Sequence, residues 1–335
     1  MNVPQFLGGS KITMGTRPIP EPDEGQLLIQ VKANALCGSE KGQFIDGTPI
    51  IPGHEAAGVV AAAGPNTSTP VGTPGAIFLM DFCGQCRSCR QGFTNECLNK
   101  RADMGFSHDG GYGPYELIHE NIFFPTGPDI SATEATLLLD IMGTGGHALE
   151  LGKLLRPDIE SILIMGAGPI GLGVLAMARV LFPKETLIYI TDFVPYRLKL
   201  AEKLGGIPIN LAGRPADNLL QGALPGSVDL AVDTAGKTSA RHAAIEALGP
   251  RGLLICVGHG EQMILNVSSH LVNLERGVIG SAYFSFHELP ENLRLLKAHR
   301  AYFNQIITHR FGVDEIQHAF ELFFKGETGK VIIEQ

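Results

Sequence analysis

Apolar positions follow two different rhythms along this chain. Between about residues 159 and 285, short β-branched runs (SILIM, LIYITD, VDLAVDTAG, GLLICVG) alternate with helical stretches such as YRLKLAEKLGG and TSARHAAIEALG. Strands that alternate with helices predict a parallel, doubly wound sheet. Over the first 145 residues the rhythm shortens to strands such as QLLIQVKANA and EAAGVVAAAG, broken by many Gly and Pro turns and few long helices. That region predicts a mostly β domain. After about Ser285, ENLRLLKAHR and DEIQHAFELFFKG read as helices and KVIIE as a closing strand. The pattern alone assigns this tail to neither domain.

A length of 335 residues exceeds the size at which single cores stop growing, so two domains are expected. Ile162 to Ala178 is uncharged, near the short limit of a spanning helix. Gly166, Gly168 and Pro169 would break such a helix at its start, so the stretch reads as a strand, a turn and a helix. The N-terminus, MNVPQFLGGSKITMG, lacks a charged start followed by a long apolar run, so a cytoplasmic protein is expected. A net charge of −8 with no Lys/Arg run argues against nucleic acid or an anionic membrane as partner. A small molecule fits better.

SILIM runs into Gly166-Ala-Gly168-Pro169-Ile170-Gly171, which opens an apolar helix, and the next strand ends in Asp192. This strand, turn, helix and acid form the context that gives a GxGxxG its meaning as a dinucleotide turn. Gly166 permits the tight turn, Gly168 lets a pyrophosphate approach the helix N-terminus, and Gly171 permits close helix–strand packing. Asp192 would accept the adenosine ribose hydroxyls and repel a 2′-phosphate, which favours NAD over NADP. Arg197 nearby works in the opposite direction.

Cys83, Cys86, Cys89 and Cys97 occupy DFCGQCRSCRQGFTNECLNK with C-x2-C-x2-C-x7-C spacing. Disulfides are disfavoured in a cytosolic chain, and a CxxC redox pair leaves the third and fourth cysteines unexplained. A closed four-thiolate zinc site and an iron–sulfur cluster both fit four thiolates, although nothing else in the chain suggests electron transfer. Cys37 and His54 form a second thiolate–imidazole combination suited to zinc. Asp140 ends the apolar run of LLLDIMGTGGHAL, where an unpaired charge is costly. Either a cation or hydrogen bonding at a helix end would satisfy it.

Taken together, these motifs in this order resemble the zinc-dependent medium-chain alcohol and polyol dehydrogenases over essentially the whole chain. The resemblance implies an α/β protein with two parts. A GroES-like, mostly β catalytic domain would span 1–148 and 285–335, and a Rossmann NAD-binding domain would span 149–284. It implies two zinc ions per chain: a catalytic one on Cys37, His54 and Asp140, and a structural one on Cys83, Cys86, Cys89 and Cys97. Glu55, following His54 in GHE, resembles the glutamate that sits behind the catalytic metal. The third-ligand position is cysteine in simple alcohol dehydrogenases and glutamate in many polyol dehydrogenases, so Asp140 points to the polyol side. Ser39 keeps the hydroxyl of the proton path, while Gly42 stands where simple alcohol dehydrogenases often have a histidine.

The same resemblance places Val257 and Gly258 of CVGHG near the nicotinamide, and Lys330 of GKVIIE at the pyrophosphate. It makes GVIGSA an edge strand through which a homodimer or homotetramer extends its sheet. The expected reaction is hydride transfer from a secondary alcohol to NAD, with a polyol, cyclitol or sugar derivative as substrate; a simple secondary alcohol, a threonine-type amino alcohol and a non-catalytic NAD-binding protein of the same fold are the alternatives. Phe44, Tyr112 and Phe284 are aromatics that would either shape the pocket for a ring or simply pack. Loss of the four-cysteine lobe is expected to cost stability or assembly before it affects the hydride step.

Overall fold

The computed structural model describes residues 1–335 as two units, one of residues 1–139 and 285–335 and the other of residues 140–284. The division falls before the 148 expected from the sequence, and packing explains why. The helix Gly145–Leu155 and the turn before it belong with the helix Pro169–Leu181. A Cβ on Gly145 would come within 2.8 Å of the Gly173 backbone, and one on Gly173 within 2.5 Å of the Ile141 carbonyl. Backbones this close move as one body.

The first unit is built on a seven-stranded sheet. Strand Gln26–Ala35 lies at its centre, flanked by Ala56–Ala63, by Tyr115–His119 and by the closing strand Lys330–Glu334. The closing strand pairs antiparallel with the central one, Ile332 opposite Ala35, which assigns the tail to this unit. Alternation in Tyr115–His119 buries Glu116 and Ile118 on one face. An aromatic core of Phe6, Phe44, Tyr112 and Phe320 lies nearby, with the Phe6 and Phe44 rings each 5.2 Å from Phe320. Burying each such side chain contributes roughly 1.5–3 kcal/mol. Phe44 and Tyr112 are therefore packing residues rather than pocket walls, and Phe284 in the second unit is buried too.

Glu116 is 1% exposed, and neither carboxylate oxygen has a hydrogen-bond partner. Burial, reinforced by Asp109, pushes its carboxyl well above the usual carboxylate range, so the folded protein holds it neutral. The unfolded chain ionises near its ordinary value of 4.5, so folding at higher pH must take up a proton. Glu116 thus costs stability as pH rises above that value, until the folded-state pKa is passed. We expect wild-type stability, relative to Glu116→Gln, to fall between pH 5 and 7.5. Urea unfolding of both proteins at the two pH values checks this, and an unchanged difference would refute it.

The second unit is a six-stranded parallel sheet in the order Ile207–Asn210, Leu187–Asp192, Ser161–Met165, Val228–Asp233, Leu248–Cys256, Gly277–Gly280. Helices such as Pro195–Lys203 and Thr238–Ala247 make the crossovers, so the inner strands are apolar on both faces. The uncharged stretch 162–178 divides into the strand Ser161–Met165, a glycine turn and the helix Pro169–Leu181. No helix is long and apolar enough to cross a membrane.

Candidate active site and metal centres

Cys37 ends the segment after the central strand, and a short 3-10 turn, Gly38–Glu40, follows it. His54 and Glu55 sit just before the neighbouring strand Ala56–Ala63, so the strand pairing Asn34 opposite Ala56 brings them toward Cys37. Asp140 is one peptide bond beyond Leu139, the last residue of the first unit's long segment. It opens a five-residue π turn, Asp140–Thr144, in which the Thr144 hydroxyl donates to Asp140 Oδ1 at 3.2 Å. One ligand atom from each of Cys37, His54, Glu55 and Asp140 lies within 4.8 Å of the others, and all four residues are at least nine-tenths buried. A buried thiolate, imidazole and two carboxylates so close together are electrostatically untenable without a cation or protons among them.

Residues that the sequence reading passed over orient this group. Glu40 is fully buried, with Oε1 3.1 Å from His54 Nδ1. Its other oxygen accepts from the Tyr112 hydroxyl at 2.6 Å and from the Cys37 amide at 3.3 Å. A carboxylate at Nδ1 fixes the tautomer that puts the coordinating lone pair on Nε2. Burial and the adjacent Glu40 charge hold the Tyr112 phenol well above its ordinary pKa, so it stays a donor. Glu40 was detectable in principle, since it lies three residues after Cys37 and closes the first turn as a capping glutamate. Phe106, 39% exposed, places its ring 4.9 Å from the His54 ring. Ser39 is exposed on the 3-10 turn.

Lys330 is fully buried in the first unit, with its ammonium paired to the equally buried Glu55, whose charge it is positioned to neutralise. The partners are 275 residues apart in sequence, and no local signal joins them.

The four cysteines of the lobe also converge, each sulfur within 4.8 Å of the others, and none forms a disulfide. Backbone amides point at the sulfurs: Cys83 N to Cys97 Sγ at 3.2 Å, Cys86 N to Cys83 Sγ at 3.3 Å, and Leu98 N to Cys86 Sγ at 3.4 Å. Amide donation from Cys89 and Leu98 lowers the Cys86 thiol to about 6, while burial pushes Cys89 up to about 12. Four thiolates at this spacing fit a tetrahedral cation, which would ionise Cys89 as well.

In the second unit Gly166 has φ +104°, a conformation that favours glycine, and a Cβ on Gly171 would collide with the Gly166 carbonyl. Around Gly168, the N-cap of the helix that Pro169 and Ile170 begin, space is open, its nearest neighbour being Arg197 at 4.0 Å. Asp192 Oδ2 accepts from the Ala167 amide at 2.9 Å, and Oδ1 from those of Phe193 and Val194 at 2.8 and 2.9 Å. A carboxylate has about four acceptor sites, so roughly one remains for a ligand. Arg197 Nη1 lies 3.8 Å from Asp192 Oδ2. Val257 and Gly258 follow the strand Leu248–Cys256, where Arg241 ties the Gly258 carbonyl to buried Asp233 with bonds of 2.5 and 2.7 Å.

The family model "Alcohol dehydrogenase GroES-like domain" matches residues 23–128, and "Glucose dehydrogenase C-terminus" matches 146–334. A sorbitol dehydrogenase of Bacillus subtilis is 30% identical over 338 residues, covering 96% of this chain and 94% of that protein. The chain belongs to the zinc-dependent medium-chain alcohol and polyol dehydrogenases. An L-threonine 3-dehydrogenase of Francisella tularensis is 31% identical over 345 residues, 95% of this chain and 94% of the relative. The crystal structure of galactitol-1-phosphate dehydrogenase from Escherichia coli shares the fold at TM-score 0.86, with 23% identity and full coverage of both chains. The protein is therefore an oxidoreductase of the alcohol/polyol dehydrogenase type.

Proposed function

We propose that this dehydrogenase oxidises a secondary hydroxyl of a polyol, cyclitol or sugar derivative to the ketone, reversibly, with NAD as hydride acceptor. The observation that carries the reading is the buried cluster of Cys37, His54, Glu55 and Asp140, a donor set that suits zinc. Zinc held by Cys37, His54 and Asp140 would supply the Lewis acidity that lowers the pKa of a substrate hydroxyl. Glu40 keeps His54 in its coordinating tautomer, and Lys330 balances the charge of Glu55 behind the site. Ser39, exposed on its turn, takes the hydroxyl proton toward solvent, since Gly42 offers no imidazole for that relay. A second zinc belongs to the four-cysteine lobe.

The carboxylate at position 140 and the sorbitol dehydrogenase relative both support a polyol-type substrate. NAD preference rests on Asp192, whose charge opposes a 2′-phosphate. A panel of polyols, cyclitols, sugars and amino alcohols, read by NADH absorbance and repeated with NADP, tests both points. We expect a polyol or cyclitol to be turned over fastest, with NAD favoured by roughly tenfold or more, about 1.4 kcal/mol. Equal rates with both cofactors would contradict the role of Asp192, and a threonine-type amino alcohol as best substrate would overturn the polyol assignment.

Strand Gly277–Gly280 lies at the edge of the parallel sheet, and an open edge favours pairing with a second copy in a dimer or tetramer. None of the six cysteines forms a disulfide, which supports a reducing, cytoplasmic location.

A further inference from the structure

We infer that the four-cysteine lobe positions the metal ligand Asp140, by way of the segment Phe284–Phe286, and so acts on the hydride step as well as on stability. The inference rests on the reading of Cys37, His54 and Asp140 as the catalytic metal site. Both ends of the lobe grip this segment. Phe82, next to Cys83, places its ring 5.5 Å from that of Phe286. Thr94, three residues before Cys97 and wholly buried, accepts the Phe286 amide at 2.8 Å.

The Thr94 hydroxyl lies 3.1 Å from that of Ser285, which in turn donates to the Gly92 carbonyl. These bonds form a one-way relay in which Phe286 N–H donates to Thr94, Thr94 to Ser285, and Ser285 to Gly92. Each hydroxyl gives one proton, and Ser285 accepts from the His287 amide at 3.4 Å as well as from Thr94, which fixes the register of residues 285 and 286 against the lobe. Ser285 also opens a capped turn, its amide donating to Glu288 Oε1 at 2.8 Å. The grip is thus on a rigid segment.

One residue back, Phe284 is fully buried, and its ring lies beside Gly143 in the π turn that Asp140 opens. A Cβ on Gly143 would fall inside contact distance of three Phe284 ring atoms, one of them at 2.6 Å. Tyr283 before it holds φ +52°, a left-handed conformation that a non-glycine residue keeps only when its surroundings impose it. Displacement of residues 284–286 therefore presses directly on the turn that carries the ligand. Asp140 is especially sensitive, because its short side chain has little reach with which to follow a displaced metal. A misplacement of about 1 Å at such a site can cost a hundredfold in rate.

The test uses protein carrying cobalt at the Cys37 site and zinc in the lobe, so that the visible cobalt bands report the geometry there. Thr94→Val removes one relay hydroxyl without changing shape, and Ser285→Ala removes the other should the first variant fold poorly. We expect either to shift the cobalt bands and to lower kcat roughly tenfold with little change in KM for NAD. Thr94→Ser should restore both. Unchanged bands and kcat in both variants, with only a lower melting temperature, would overturn the inference and leave the lobe a purely stabilising element. Failure of the unaltered protein to take up cobalt at the Cys37 site would instead refute the metal reading and, with it, this inference.

Discussion

Replacing His54 by alanine is expected to lower turnover by roughly a thousandfold or more, the equivalent of several kcal/mol of lost charge stabilisation. NAD binding should remain measurable, because the nucleotide turn at Gly166–Gly171 and Asp192 lies in the other unit. Cys37→Ser should behave alike, since a hydroxyl is a poor substitute for a thiolate toward zinc. Steady-state rates with the best substrate, together with NADH fluorescence titration, separate the two effects. Normal activity in a Cys37→Ser, His54→Ala double variant would rule out the zinc mechanism.

The second large effect concerns stability. Lys330 and Glu55 are both fully buried and paired with each other. Removing the lysine takes away the ammonium beside a fully buried carboxylate, so Lys330→Met is expected to destabilise the protein by about 3–5 kcal/mol. Adding Glu55→Gln should recover most of that loss, because the buried charge disappears with it. A double-mutant cycle by urea unfolding measures the coupling. If Lys330→Met lost less than about 1 kcal/mol, the pair would not be the buried neutralising contact described here.

Legibility in the sequence followed distance along the chain. The dinucleotide turn could be read because its requirements are local: positive φ at Gly166, room at Gly168 and contact at Gly171 all fall within six residues. The lobe was legible for the same reason, its four sulfurs coming from one short stretch. Cys37, His54 and Asp140 were legible only through resemblance to known enzymes, because what joins them is the pairing of Gln26–Ala35 with Ala56–Ala63 and the chain's exit after Leu139. Pattern could not assign the tail, which was decided by Ile332 pairing opposite Ala35. The burial of Lys330 and its pairing with Glu55 depend on that same closing strand and could not be read locally. The domain boundary shifted because glycines 145 and 173 fuse the residues after Leu139 to the second unit, a close approach that composition does not reveal.

The buried donor set and the cysteine lobe make one claim in common, that each chain holds two zinc ions with different tasks. Zinc content per chain, measured by elemental analysis of the unaltered protein and of His54→Ala, tests it most directly. The account predicts two zinc ions in the unaltered protein and one in the variant, the remaining ion held by Cys83, Cys86, Cys89 and Cys97. One ion in both proteins, confined to the lobe, would contradict it and leave a nucleotide-binding protein without a catalytic metal.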